Sequence, residues 1–112
     1  MNIDNVKSQM RKGMLEYCVL LLLQEEPKYT SDIIEHLKQA ELIVVEGTLY
    51  PLLSRLKKDG ILDYEWVEST QGPPRKYYKL SSDGELALKE LDDTWRELSN
   101  TVEILKRDNS PE

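Results

Sequence analysis

The chain has 112 residues and a formal net charge of −6, with 39% hydrophobic and 32% charged residues. That length suits one core with a well-solvated surface. One cysteine, Cys18, and one histidine, His36, exclude an internal disulfide and leave too few ligands for a metal site. No metal and no cofactor are therefore expected, and a reducing cytoplasm is the expected compartment. The apolar run 18–23 is much shorter than the roughly 20 residues that cross a bilayer, so no membrane partner is expected.

The acid is unevenly spread. Residues 46–79 hold six basic against five acidic side chains, whereas residues 80–112 hold four against nine. Such a chain can present one basic face to nucleic acid and keep its acidic end away from it.

The first ten or so residues are polar and show no core pattern. Residues 13–24 read as a helix that is apolar nearly all round, so it needs cover on more than one side, and a partner subunit is the natural source. Pro27 ends it. Thr30 or Ser31 is placed to cap a second helix, with Asp32 in its first turn and Ile33, Ile34 and Leu37 as its apolar stripe. The β-branched run Ile43, Val44 and Val45 suits one short strand.

A third helix is expected from about 47 to 59. Leu49, Leu52, Leu53 and Leu56 form one face, Pro51 belongs in the first turn, and the cap falls near Gly47 or Thr48. Gly60 stops the helix. Strands follow at 61–67 and 75–80, joined by a turn-rich loop at 68–74. Ser82 and Glu85 have the form of a capping box for a last helix running to about Lys106. Its Leu88, Leu91, Trp95, Leu98, Val102 and Leu105 make an a/d seam of about two and a half heptads. The e and g positions, including Asp92, Thr94, Ser99 and Thr101, lack charge pairs. The long helix is thus expected to pack on a partner's first helix and not to zip with its own copy.

The expected fold class is mainly α with a small β-hairpin: a winged helix-turn-helix over 1–80 and a C-terminal dimerisation helix and tail over 81–112. In that arrangement the helix before the hairpin enters the major groove. At about 100° per residue, its leucine face leaves Gly47, Pro51, Ser54 and Lys58 opposite the core, flanked by Thr48, Tyr50, Arg55 and Lys57. That face is small, hydroxylated and basic, which suits phosphate contact. The alternative is an ordinary amphipathic helix with a solvated face. The hairpin adds Gln71, Gly72, Arg75 and Lys76; Arg75 and Lys76 are neighbours on a strand and point to opposite faces. A plain solvated turn is the alternative there.

Three segments carry a family resemblance. They are Gly13-Met14-Leu15-Glu16, then 47–56 with Gly60, then 72–81 with Gly84. In this order and spacing, over about residues 13–105, they resemble the PadR family, in its small form with a single short C-terminal helix. The resemblance implies a dimeric, non-enzymatic repressor of transcription that binds double-stranded DNA. Two departures stand out. Tyr29-Thr30-Ser31 replaces the family's usual Tyr-Gly-Tyr at the start of the second helix, and Ser81 stands where threonine is usual. Thr30 and Ser31 join the expected DNA-contacting set on the strength of that position.

Trp95 lies mid-seam. With Leu91, Leu98 and Met14 it can line a slot for a flat aromatic or other apolar effector between two subunits, a mode the resemblance also implies. The alternative is plain dimer core. A winged-helix protein-interaction module that does not bind DNA is the competing function, favoured slightly by the acidic net charge. No nucleophile–base pair, phosphate loop or metal cluster points to an enzyme. Cys18 reads as core and His36 as surface.

Overall fold

The computed structural model describes residues 1–109, so the last residues of the expected segment 81–112 lie outside the described residues. The first helix, α1 (Ile3–Glu25), starts ten residues before its apolar pattern does. Asn2 explains the early start: its side chain accepts from the Asn5 N–H at 3.1 Å, satisfying a donor that a helix N-terminus otherwise leaves open. Only the second half of α1 enters the core, through Leu15, Val19, Leu20 and Leu23. Glu26 takes the extended backbone that Pro27 demands, and the helix stops.

Two residues then form β1 (Lys28–Tyr29), and the chain turns directly into α2 (Thr30–Gln39). Neither Thr30 nor Ser31 caps that helix. Tyr29 occupies the cap position with no side-chain bond, because pairing of β1 with the sheet carries Thr30 into the interior. Lys28 is buried as well. Its ammonium donates to the Leu22 carbonyl at 3.0 Å and lies 3.8 Å from Glu26, so the buried charge is partnered.

The strand expected at Ile43, Val44 and Val45 is absent. Those residues link α2 to α3 (Glu46–Lys58), and Val45 is the α3 cap residue. Both helices end in the same device. The Leu42 N–H reaches the Leu37 carbonyl at 2.8 Å, and the Ile61 N–H reaches the Leu56 carbonyl at 2.9 Å, which is the Schellman pattern. At its left-handed position α3 has Gly60, φ 80°, whereas α2 has Glu41, φ 66°.

β2 (Leu62–Ser69) and β3 (Gly72–Leu80) form an antiparallel hairpin, and β1 adds to the far side of β3, giving the order β1-β3-β2. The strands run further than expected, and the connecting loop shrinks to Thr70 and Gln71. Pro73 and Pro74 are tolerated because the register shifts there. Val67 pairs with Arg75 and Ser69 with Gly72, so two prolines oppose the single Glu68 and no ladder donor is missed. The inner face sets Leu62 and Tyr78 against the buried leucines Leu49, Leu52, Leu53 and Leu56 of α3, and Leu88 of the last helix joins them.

That last helix, α4 (Ser82–Asp108), is capped by Ser81, one residue earlier than expected: the Ser81 hydroxyl accepts from the Gly84 N–H at 3.0 Å. Ser81 takes the role because its one hydroxyl hydrogen is shared between the carbonyls of Gly60, at 2.6 Å, and Ile61, at 2.9 Å. The start of α4 is thereby tied to the end of α3. Further on, the Tyr17 hydroxyl donates to Asp92 at 2.5 Å, joining α1 to α4. This bond, with some burial, raises the phenol to about 12, so the link survives across neutral pH and is lost only as pH climbs from about 10 toward that value.

Gly84 has no room for a side chain, since a Cβ would fall well inside contact distance of the Ile61 carbonyl oxygen. Gly84→Ala is expected to lower the unfolding free energy by roughly 2–3 kcal/mol. Glu41→Gly relieves a left-handed backbone and is expected to raise it by up to about 1 kcal/mol. Urea melts at neutral pH measure both, and an unchanged Gly84→Ala midpoint would contradict the close approach.

Candidate nucleic-acid interface

The α3 helix keeps its four leucines inside and turns a polar face outward. Gly47, Thr48, Tyr50, Pro51, Ser54, Arg55 and Lys58 are all exposed. Two expectations about this helix are corrected. The helix begins at Glu46, so Pro51 lies in the second turn and not the first. The carbonyl that loses its partner belongs to Gly47, which is exposed and so open to hydration. Tyr50 is likewise beyond the first turn, and its place in the surface rests on its exposure. Lys57 and Lys58 sit in the last turn, a favourable site for cations.

The hairpin carries its cations on aromatic rings. The Arg75 guanidinium lies 4.7 Å from the Tyr29 ring centroid, on one face of the sheet. The Lys76 ammonium lies 4.0 Å from the Tyr64 ring and 5.3 Å from Tyr78, on the other. The ring quadrupole holds each charge while leaving part of its hydration shell open to an anion. Tyr64 also receives the Lys57 ammonium at 5.6 Å. One tyrosine thus lies under a lysine of α3 and a lysine of the hairpin, and it joins the two into one basic surface. Alternation alone assigns Tyr64 to packing, and this link depends on the tertiary approach of α3 to the hairpin. Trp66, next along the same face and paired with Lys76 in register, is 64% exposed. Gln71 and Gly72 occupy the tip and are exposed.

Other expected residues fall elsewhere. The Thr30 side chain is buried, which removes it from the surface, while Ser31 remains exposed in the first turn of α2. Arg55 is exposed but drawn sideways by an ion pair with Glu16 of α1. Met14, Leu91, Trp95 and Leu98 are far from this surface in sequence but near one another. They line a recess between α1 and α4 together with Met10, Gly13, Tyr17 and Thr94. Burial pushes the Cys18 thiol up, which fits a packing residue and not a reactive thiolate. Among the described residues no cluster of three or more His, Cys, Asp or Glu side chains is placed to hold a metal, and no helix is long and apolar enough to cross a membrane.

Three helices, the last with a polar outward face, followed by a hairpin with a basic flank define a winged helix-turn-helix protein. The family model described as the transcriptional regulator PadR-like family matches residues 19–90. A PadR-like transcription factor from Bacteroides fragilis is 70% identical, with a TM-score of 0.78 over 90% of this chain and 98% of that one. A PadR-like regulator from Bacillus cereus is 36% identical, with a TM-score of 0.77 over 87% and 95%. One from Eggerthella lenta is 31% identical, with a TM-score of 0.79 over 96% and 94%. The chain belongs to the PadR-like family of transcriptional regulators. It is a DNA-binding regulator of transcription and not an enzyme.

If the hairpin cations contact phosphates, changing Arg75 and Lys76 together to Ala should weaken binding to all duplexes alike. The log–log salt dependence should flatten by about one unit per lost contact. Anisotropy titrations across salt measure this. Unchanged slope and affinity would exclude the hairpin as a DNA element.

Proposed function

We propose that the protein is a cytoplasmic repressor that binds an inverted-repeat operator as a homodimer and is released by a flat aromatic or other apolar molecule held between subunits. In this reading residues 1–80 read DNA, and the segment from 81 onward makes the dimer. The observation that carries it is the outer stripe of α4. Trp95, Leu98, Val102 and Leu105 are each about half exposed, as is Ile3 of α1, and Met10 is more so. Among the described residues these side chains keep that exposure, and a contiguous apolar surface of this kind marks an interface. A second copy related by a two-fold axis covers both helices at once, and it sets two α3 helices at half-sites about one helical turn apart.

Gly13 supports the same reading. It lies in the middle of α1, where glycine costs about 1 kcal/mol relative to alanine, yet an added Cβ would meet nothing within 4 Å in this chain. A closely approaching helix or ligand gives the missing reason. The recess beside it holds about 230 Å³, below the roughly 300–1,000 Å³ of typical ligand sites. A partner's matching recess laid across the axis brings the volume into range. Its walls are mostly apolar, and the Tyr17 hydroxyl is already engaged by Asp92, which favours uncharged or weakly polar aromatic ligands.

Selection of bound duplexes from a random pool tests the DNA half of the proposal. An inverted repeat is expected, and recovery of isolated half-sites alone would contradict the dimer. Trp95 tests the rest. As a wall residue of an open slot, its change to Ala should leave the dimer intact while abolishing quenching of tryptophan fluorescence by flat aromatics, measured in a Trp66→Phe background. A Trp95→Ala protein that becomes monomeric, from a parent that binds no aromatics, would make the residue plain dimer core, with a cost of roughly 3–5 kcal/mol.

A further inference from the structure

The polar side of α3 continues onto another helix. An open recess of about 280 Å³ separates α3 from α1, with Gly47, Thr48, Pro51 and Arg55 on one wall and Lys12 and Glu16 on the other. Four of these six belong to the α3 surface described above. Lys12 and Glu16 lie on a helix whose sequence advertises only core.

The charges in the recess are unbalanced. Glu16 pairs with Arg55, which holds the half-exposed guanidinium at the recess. A carboxylate occupies only part of the five-donor fork, so other donors stay open. Lys12 is exposed and has no ion pair among the described residues. Two cations against one anion leave one positive charge, beside the exposed Thr48.

Gly47 gives an independent observation. It is helical, it has no positive φ, and an added Cβ would meet nothing within 4 Å. Neither backbone conformation nor packing inside the chain calls for glycine there, and helix propensity favours alanine. A group from outside that comes against the α3 backbone does call for it.

We infer that this recess takes a phosphate of the DNA backbone, with Lys12 of α1 as a further phosphate contact beside Arg55 and Thr48, and with Gly47 leaving room for the approach. The inference rests on α3 being the DNA-reading helix. DNA is the occupant because the recess is continuous with that helix's outward face. A free anion gains little from two exposed cations in water. A phosphate of a duplex already docked on α3 and the hairpin arrives at high effective concentration.

The test uses the full-length protein and the duplex recovered by selection, with anisotropy titrations over a range of salt. Lys12→Gln should weaken binding about tenfold on specific and random duplexes alike and lower the salt slope by about one. Lys12→Arg should restore both. Gly47→Ala should melt no lower than the wild type and yet bind DNA more weakly, a combination that a purely structural glycine does not produce. Wild-type affinity and slope in Lys12→Gln, or wild-type affinity in Gly47→Ala, overturns the inference. If Ser54→Ala and Lys58→Gln weaken binding while the Lys12 and Gly47 variants do not, the recess alone is refuted. If the Ser54 and Lys58 variants also bind normally, the reading of α3 fails with it.

Discussion

The Ile61 carbonyl is the joint on which the rest of the molecule depends. It accepts from the Ser81 N–H at 3.0 Å and from the Ser81 hydroxyl at 2.9 Å, and Gly84 packs directly against it. Gly60 reverses the chain just before it, and the Ile61 N–H closes α3 by reaching back to Leu56. Four element ends therefore meet at one peptide: the close of α3, the start of β2, the end of β3 and the start of α4. None of these bonds is strong alone, at about 1 kcal/mol net. Their convergence ties the helix proposed to face DNA to the helix that carries the exposed apolar stripe.

That joint gives a physical meaning to the division of surfaces. The leucines of α3, the inner sheet face and the inner half of α1 make one small core. Two surfaces outside it differ sharply. The α3 face and the hairpin flank are polar and basic, and they are bridged through Tyr64. The outer stripes of α1 and α4 are apolar and uncovered. The joint and the Tyr17–Asp92 bond tie α4 to the domain, so in the proposed dimer a ligand that changes how two α4 helices pack would also change where two α3 helices sit. This coupling needs no internal rearrangement of the domain.

Much of this was legible in the residues. The i, i+3, i+4, i+7 leucines placed α3, the alternation of Leu62, Tyr64 and Trp66 placed the hairpin, and the spacing from Leu88 to Leu105 placed α4. In each case burial periodicity was the signal, and it is local. What escaped depends on partners distant in sequence. The short β1 exists only because Lys28 and Tyr29 meet Tyr78 and Tyr77. The α4 cap moved from Ser82 to Ser81 because Ser81 alone reaches Gly60 and Ile61. The extension of α1 to Ile3 carries no core pattern, since its outer face is bare within one chain. In the candidate surface, the exposure of the α3 set was readable from helical geometry. The burial of Thr30, the Tyr64 bridge and the Lys12 recess came only from tertiary placement.

Rigid coupling of α3 to α4 is tested most directly by operator spacing. With the selected inverted repeat in hand, the two half-sites can be separated by one extra base pair at a time and affinity measured for each duplex. A dimer with no hinge tolerates no half-turn insertion: about five added base pairs rotate one half-site to the far side of the helix, and affinity should fall to that of a single half-site. Wild-type affinity on the half-turn duplex would show that α3 moves freely on α4, and it would contradict the joint at Ile61.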